Sequence, residues 1–244
     1  MNVLNSQQLA EIKKFDGPTI CNALECFDAL PRSAGFTMPI MFPRTLTGKR
    51  MIGYAATAKI SARHPGERTA GETAMKYYQT VRDMADPTVS VVQDIDPQPI
   101  GSYWGEVQAT THSALGSIGT ITHGGVRDID EAEAMGFHFF STELLISHAY
   151  VHVVDCNCSV EVAGLHVNPG DLLYADKHGV LIIPHSVADR LAEACRLIAE
   201  AEYPMLIPCR EAIKTGVKPS IDQIKEWRGK LEEARRAVTK RFRP

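Results

Sequence analysis

The sequence predicts an α/β fold, because short buried strands and amphipathic helices alternate along most of the chain. The clearest evidence lies in the middle of the sequence. Residues 107–115 fit a short helix, 117–122 alternate like a buried strand, and 129–135 begin a second helix. Apolar strands are also predicted at 89–92 and 137–140, on either side of this unit. We therefore expect the helix–strand–helix unit to form the centre of the fold.

The first third of the chain is predicted to contain three helices and one strand. In order, these are a helix over residues 7–15, a helix over 19–30, a strand over 53–60 and a helix over 73–84. Ser6 is the expected N-cap of the first helix, and Asp16-Gly17-Pro18 turns the chain into the second. The proline-bearing segment 33–43 is expected to be irregular.

The C-terminal part is predicted to contain a hairpin-rich sheet region followed by helices. In order, these are strands over 151–162, 172–176 and 180–183, and helices over 186–202 and 221–241. Pro204 and Pro208 are expected to break the chain between these two helices, leaving only a short turn over 211–215. We therefore predict an α/β domain over residues 1–203 and a C-terminal helical arm over residues 204–244.

Composition limits the classes of function that are expected. The 244 residues are 44% hydrophobic with a formal net charge of −3, which gives no reason to expect a nucleic acid or a membrane surface as partner. No apolar run reaches the roughly 18 residues of a membrane span, and the N-terminus lacks the apolar core of a signal peptide. Six cysteines without a CxxC pair favour free thiols in a reducing compartment. These features predict a cytoplasmic protein.

Two polar clusters lie at predicted helix starts, one at each end of the central unit. The first consists of Gly105, Glu106, Val107 and Gln108, and the second contains Arg127 and Asp128 after a glycine pair. The first turn of a helix presents unpaired backbone N–H groups and the positive end of the helix dipole. Glycine at position 105 also lets a ligand approach the backbone closely. The first cluster is therefore a candidate site for a small carboxylate.

Arg127 and Asp128 follow a predicted buried strand, where open α/β sheets commonly bind their ligands. An arginine grips carboxylate or enolate oxygens in two places, whereas an aspartate suits an oxygen-preferring cation such as Mg²⁺. The alternative is that the pair only begins a solvated helix, with the aspartate favoured there by the helix dipole. The two residues by themselves leave both interpretations open.

Three segments taken together resemble the RraA-like family. They are WGEVQAT at 104–110, the glycine pair leading into VRD at 124–128, and PGDLLYADKHGVLIIP at 169–184. That family includes the class II 4-hydroxy-4-methyl-2-oxoglutarate/4-carboxy-4-hydroxy-2-oxoadipate aldolases and the regulators of ribonuclease E activity. The resemblance, which runs from about Thr19 to Glu202, implies an α/β/β/α swivelling domain like the phosphohistidine domain of pyruvate-phosphate dikinase. It also implies assembly into homotrimers or homohexamers.

The resemblance further implies roles for individual residues. Asp128 would bind the divalent metal, Mg²⁺ or Mn²⁺, and Arg127 would bind the substrate. The backbone amides of residues 105–108 would hold the substrate carboxylate. Glu106 stands where the family has an acidic residue that positions water at the metal.

Several positions differ from the family pattern or are not fixed by it. His123 stands where many members have an aspartate, and Cys21-Asn22-Ala23-Leu24 replaces the usual Ser-Asp-Ala-Leu. These differences leave the arginine and the metal ligand in place but bear on the substrate. In the aldolases a glutamate of a neighbouring subunit completes the site, and Glu202 and Glu211 are both open for that role here.

The function implied is a metal-dependent lyase that cleaves a 4-hydroxy-2-oxo acid to pyruvate by retro-aldol chemistry. The cation and Arg127 would stabilise the enolate oxygen, and a water oriented by Glu106 would take the hydroxyl proton. Oxaloacetate decarboxylation passes through the same enolate and is the expected second activity. One alternative is a non-catalytic, protein-binding regulator of RNA degradation. Another is a related lyase or hydrolase acting on a different carboxylic acid, an alternative that His123 keeps open.

Overall fold

The computed structural model describes residues 3–243 and confirms the predicted α/β class. The chain divides into two compact units. One comprises Ser33–His185, and the other comprises Leu4–Arg32 with residues 186–243. The boundary predicted between residues 203 and 204 stays a prediction. Among the described residues, no helix is both long enough and apolar enough to cross a membrane.

The helices and strands alternate along most of the described chain. The helices are α1 (Ser6–Ile12), α2 (Gly17–Leu24), α3 (Ala70–Asp83), α4 (Glu106–Ala114), α5 (Ile129–Ala134), α6 (Ala188–Ala201), α7 (Tyr203–Thr215) and α8 (Ile221–Phe242). The strands are β1 (Phe42–Pro43), β2 (Met51–Ser61), β3 (Thr88–Asp94), β4 (Ser117–Val126), β5 (His138–Leu144), β6 (His152–Cys156), β7 (Val160–Val162), β8 (Leu165–Val167), β9 (Leu172–Asp176) and β10 (Gly179–Ile183). The predicted central unit therefore corresponds to α4, β4 and α5.

The first unit is built around a mixed sheet of eight strands. Strands β2, β3, β4 and β5 lie side by side and run parallel. Strands β9 and β10 extend the sheet antiparallel beyond β2, β1 pairs antiparallel with β5, and β6 also pairs with β2. Because neighbouring parallel strands end at the same edge, the segments that follow β3, β4 and β5 meet there.

Both faces of the parallel strands are buried, which explains the continuous apolar run in β3. Val89 and Val91 belong to a hydrophobic cluster that includes the β7–β8 hairpin. Val92, one residue further along, belongs to a second cluster with Tyr77 of α3 and Ala109 of α4. This alternation follows from the two-residue period of a strand and fixes helices α3 and α4 on one face of the sheet.

Several predicted boundaries are wrong, including the end of the second helix, which lies at Leu24 and not at residue 30; two other differences have clear local reasons. The first helix is capped by Asn5, not Ser6, because the Asn5 side chain accepts from the N–H of Gln8 while the Gln8 side chain accepts from the N–H of Asn5. The single strand predicted over 151–162 is two strands, β6 and β7. The break lies at Asn157, whose φ of 54° is left-handed, a conformation that asparagine tolerates better than most residues.

The prediction that Pro204 and Pro208 break the chain into a short turn is also wrong. Helix α7 begins at Tyr203 and continues to Thr215. Pro204 lies in the first turn, where a missing backbone N–H costs nothing because those groups have no intrahelical partner. Pro208 lies inside the helix, which runs on past it to Gly216, whose φ of 72° ends it.

The second unit is helical, and its C-terminal helix is tied to the rest of that unit by arginines. Arg235 Nη2 donates to Glu202 Oε1 at 2.6 Å, and Arg243 Nη2 donates to Asp28 Oδ2 at 3.1 Å. Arg241 is paired with Glu193. Three arginines near the C-terminus are therefore neutralised by acidic residues of the same unit.

A buried carboxylate in the first unit gives a prediction about stability. Asp94, at the end of β3, is 5% exposed, and its Oδ2 has no hydrogen-bond partner among the described residues. Burial raises the pKa of Asp94 from its usual 3.8 to about 6. The folded protein therefore binds this proton more tightly than the unfolded chain, so stability falls as pH rises from about 4 to about 6 and stays lower above that.

Asp94→Asn is expected to stabilise the protein at pH 7.5 by roughly 1–2 kcal/mol, because it removes a buried charge while keeping the acceptor for the N–H of Asp96. The gain should vanish near pH 4, where Asp94 is protonated in the folded state. Urea unfolding at both pH values measures it. The exposed Asp155→Asn is the matched control and should show no such pH dependence; an equal gain in both variants would contradict the prediction.

Candidate active site

The candidate site lies at the carboxyl edge of the parallel strands. After leaving β3, the chain runs alongside the end of β4 and pairs with it through a bridge between Trp104 and Val126. The N–H of Arg127 donates to the carbonyl of Trp104 at 3.0 Å. This pairing brings the start of α4 next to Asp128, although Glu106 and Asp128 are 22 residues apart in sequence.

A cleft of about 220 Å³ opens at this edge. The segments after β3, β4 and β5 all contribute to its lining: Ser102, Tyr103, Gly105, Val107, Gln108, Arg127, Asp128, His148 and Val151. Five residues predicted for the site therefore meet at one cleft. The sixth, Glu106, contributes its backbone there, whereas its side chain is exposed. The role predicted for that side chain stays a prediction.

Asp128 is held in a specific orientation by its own backbone and by α4. Its φ of 53° is left-handed, a conformation that costs most residues about 1 kcal/mol but that aspartate and asparagine adopt more readily. Its Oδ2 accepts from the N–H of Glu106 at 2.9 Å and lies 3.8 Å from Arg127 Nε. Arg127 Nη1 in turn donates to the carbonyl of Ile146 at 3.3 Å. Backbone contacts thus position both side chains of the pair.

Two glycines allow the close contacts around this pair. A Cβ at position 105 would lie 2.5 Å from Asp128 Oδ2, and a Cβ at position 125 would lie 2.4 Å from Leu145 Cδ1. Both distances are far shorter than van der Waals contact. Gly105 is therefore explained by packing against Asp128 at the site, and Gly125 by packing against Leu145.

A buried aromatic layer supports the cleft from below. The Trp104 ring is fully buried and lies 4.6 Å from the His112 ring and 5.4 Å from the Tyr103 ring, measured between centroids. Burial lowers the pKa of His112 to about 3, so this histidine is neutral. Burial also raises the pKa of Tyr103 well above its usual value, so its hydroxyl keeps its proton. Tyr103, which lines the cleft, and the two rings packed against it are therefore uncharged.

Four lining residues were not predicted from the sequence: Ser102, Tyr103, His148 and Val151. Arg127 was predicted because ligands bind beyond the carboxyl ends of parallel strands. The same rule applies to the loop after β5 and would have indicated His148. His123, by contrast, is not part of the cleft lining. Its Nδ1 accepts from the N–H of Ala163 at 3.0 Å.

The residues of the cleft suit a hard divalent cation bound by a single protein carboxylate. Asp128 offers oxygen ligands beside a polar opening, and its side chain is 38% exposed. No group of three or more His, Cys, Asp or Glu among the described residues is arranged to enclose an ion. Mg²⁺ is commonly bound through one or two carboxylates, with water and substrate as the other ligands. The residues of the cleft therefore fit an ion that is held by Asp128 and by a bound ligand together.

Fold and cleft together define a mixed α/β protein with a small polar site at the carboxyl edge of its parallel strands. The chain belongs to the RraA-like family, whose model, described as Aldolase/RraA, matches residues 18–182. This confirms the resemblance carried by the three sequence segments.

The chain matches only part of the length of two curated relatives. Protein DlpA of Legionella pneumophila is 32% identical over 179 residues, which are 71% of this chain and 27% of that protein. A putative 4-hydroxy-4-methyl-2-oxoglutarate aldolase of Halalkalibacterium halodurans is 24% identical over 148 residues, which are 60% of this chain and 66% of that protein. The chain thus spans about a quarter of the first relative and just under two thirds of the second.

Solved structures share the fold. An uncharacterized protein from Pseudomonas syringae pv. tomato matches with a TM-score of 0.67 and 20% identity, covering 97% of this chain and 96% of that one. Streptomyces coelicolor RraAS2, described as an unusual member of the RNase ES inhibitor RraA protein family, matches with a TM-score of 0.62 and 19% identity, covering 80% and 92%. These matches support the α/β fold.

Proposed function

We propose that this protein is a divalent-metal-dependent lyase that cleaves a 4-hydroxy-2-oxo acid to pyruvate, with oxaloacetate decarboxylation as a second activity. The observation that carries the proposal is that Arg127 and Asp128 meet the start of α4 at one cleft. Membership of a family described as Aldolase/RraA supports it, as does a relative named as a putative aldolase.

The start of α4 is assigned to the carboxylate of the substrate. Because the first N–H groups of a helix have no intrahelical partner, those of Val107 and Gln108 are suited to hold an anion. The N–H of Glu106 already donates to Asp128, so it is assigned to positioning that side chain. Tyr78 Oη donates to Gln108 Oε1 at 2.9 Å, which leaves the Gln108 amide NH₂ to donate to a ligand.

Arg127 is assigned to the 2-oxo oxygen, which becomes an enolate oxygen when the carbon–carbon bond breaks. Its guanidinium donates hydrogen bonds that strengthen as negative charge develops. A divalent cation at Asp128 supplies Lewis-acid stabilisation of the same charge when it is bound. The buried aromatic residues next to the cleft strengthen these interactions, because charges attract each other more strongly beside apolar groups than in water.

The direct test is release of pyruvate, measured with coupled lactate dehydrogenase, from 4-hydroxy-4-methyl-2-oxoglutarate and from oxaloacetate. We expect turnover of at least one substrate with Mg²⁺ or Mn²⁺, and loss of turnover with chelator. If several 4-hydroxy-2-oxo acids and oxaloacetate all fail with both metals, the lyase proposal is wrong. Stoichiometric capture of a partner protein by both the native protein and Asp128→Ala would then favour the regulator alternative.

Gly105→Ala is expected to reduce turnover by roughly 10²-fold, because the added Cβ would displace the Asp128 carboxylate and the Arg127 side chain from their present positions. Gly71→Ala in α3 is the matched control, since a Cβ there has nothing within 4 Å. The pyruvate assay and the melting temperature are measured for both variants. Equal turnover in the two would show that the close approach at position 105 does not matter.

A further inference from the structure

His148 lines the same cleft as Arg127 and Asp128 and has no role in the chemistry described so far. It lies on the loop that follows β5, so all three side chains come from the carboxyl edge of the parallel strands. The cleavage needs a group that removes the proton from the 4-hydroxyl. The role predicted from the sequence went to a water oriented by Glu106, but the exposed side chain of Glu106 is not part of the cleft lining. His148 is therefore considered for that role.

The loop that carries His148 is fixed at several points. The N–H of Ser102 donates to the carbonyl of Ser147 at 2.9 Å, and the N–H of Tyr150 donates to the carbonyl of Ala62 at 3.1 Å. The His148 carbonyl accepts from the N–H of Val151 at 3.0 Å. The same carbonyl lies only 2.5 Å from where a Cβ of Gly101 would be, so the two segments touch backbone to backbone. His148 therefore sits on a loop with a defined position.

The hydrogen bond made by the ring defines which nitrogen is basic. His148 Nδ1 lies 2.7 Å from the carbonyl oxygen of Ala149. A carbonyl only accepts, so Nδ1 carries the proton, and the lone pair of the neutral ring is on Nε2. Ala149 has a φ of 44°, a left-handed conformation that is unusual for alanine. The loop thus adopts a costly conformation at the residue that orients the ring.

The other ionisable residues in the described lining of the cleft cannot take up the proton. Arg127 has no acceptor atom, and Asp128 is assigned to the cation. Burial raises the pKa of Tyr103, which therefore remains protonated. Of the four ionisable residues that line the described cleft, His148 is the one left with a ring nitrogen, Nε2, that can accept a proton.

We propose that His148 is the general base of the carbon–carbon cleavage, an inference that rests on the proposed lyase function. Nε2 takes the proton of the 4-hydroxyl, and the O–H electron pair forms the new C4 carbonyl. The C3–C4 bond breaks, and its electrons form the C2–C3 double bond of the enolate, with the negative charge on the 2-oxo oxygen. The imidazolium then returns its proton to C3, which gives pyruvate and the neutral ring. No electrons are gained or lost overall.

The two expected reactions separate this role from a structural one. Retro-aldol cleavage needs a base at the 4-hydroxyl, whereas oxaloacetate loses CO₂ without giving up a hydroxyl proton, and its enolate can take the C3 proton from water. His148→Ala should therefore lower kcat for 4-hydroxy-4-methyl-2-oxoglutarate by about 10²- to 10⁴-fold. The rate of oxaloacetate decarboxylation should change little. Added imidazole should restore part of the lost cleavage activity.

Several results would overturn the assignment. One is equal loss of both reactions in His148→Ala; another is a raised KM with unchanged kcat, which would make His148 a binding residue. Selective loss of cleavage in Glu106→Gln, with His148→Ala unaffected, would move the role to Glu106. His166→Ala is the matched control, because that side chain is 82% exposed and pairs with Glu161 on the β7–β8 hairpin. Absence of both reactions in the native protein would refute the proposed function itself, so the two failures are distinguishable.

Discussion

Arg127→Ala is expected to lower kcat/KM for pyruvate release by about 10²- to 10³-fold with either substrate. Both reactions pass through the same enolate, and Arg127 is the described cationic side chain that lines the cleft. Its guanidinium is already fixed, with Nη1 donating to the Ile146 carbonyl at 3.3 Å. The loss should therefore appear mainly in kcat, because the interaction strengthens as the enolate forms.

Two further variants define the effect of Arg127. Arg127→Lys keeps the charge but not the planar fork, so it should recover only a small part of the activity. Arg82→Ala removes an exposed arginine of α3 that pairs with Asp83, and it should leave turnover unchanged. Retained kcat in Arg127→Ala, with only KM raised, would show that Arg127 binds the substrate without stabilising the enolate.

Asp128→Asn is expected to abolish metal-dependent turnover while leaving the fold intact. The amide keeps an oxygen that can accept from the N–H of Glu106, and asparagine tolerates the left-handed conformation at this position. It lacks the negative charge that a hard cation requires. Titration calorimetry with Mn²⁺ should show weaker binding by at least about 10-fold, with an unchanged melting temperature.

Asp128→Ala separates the metal role from the structural one. Alanine loses the hydrogen bond to Glu106 and occupies the left-handed region less readily, so this variant should also lose roughly 1 kcal/mol of stability. Asp130→Asn, two residues further on in the first turn of α5, is the control and should bind Mn²⁺ normally. Undiminished Mn²⁺ binding in Asp128→Asn would place the cation elsewhere.

The candidate site was only partly predictable from the sequence. Arg127 and Asp128 were indicated because they follow a buried strand, and Gly105 because it precedes a helix. The sequence also predicted that these residues act together, and the structure brings them to one cleft. His148 was not predicted, because its place in the cleft depends on β5 lying beside β4.

Most of the local structure and the family were predictable from the sequence. The spacing of apolar residues, the glycines and the helix starts are properties of neighbouring residues. They therefore identified β4, α5 and α8 without any knowledge of the fold. Which distant residues share the site depends on the tertiary structure. Glu106 contacts Asp128 because the chain after β3 runs along the end of β4, and His148 joins them because β5 is the next parallel strand. Strand order and register arise from packing across the whole sheet, and no local pattern specifies them.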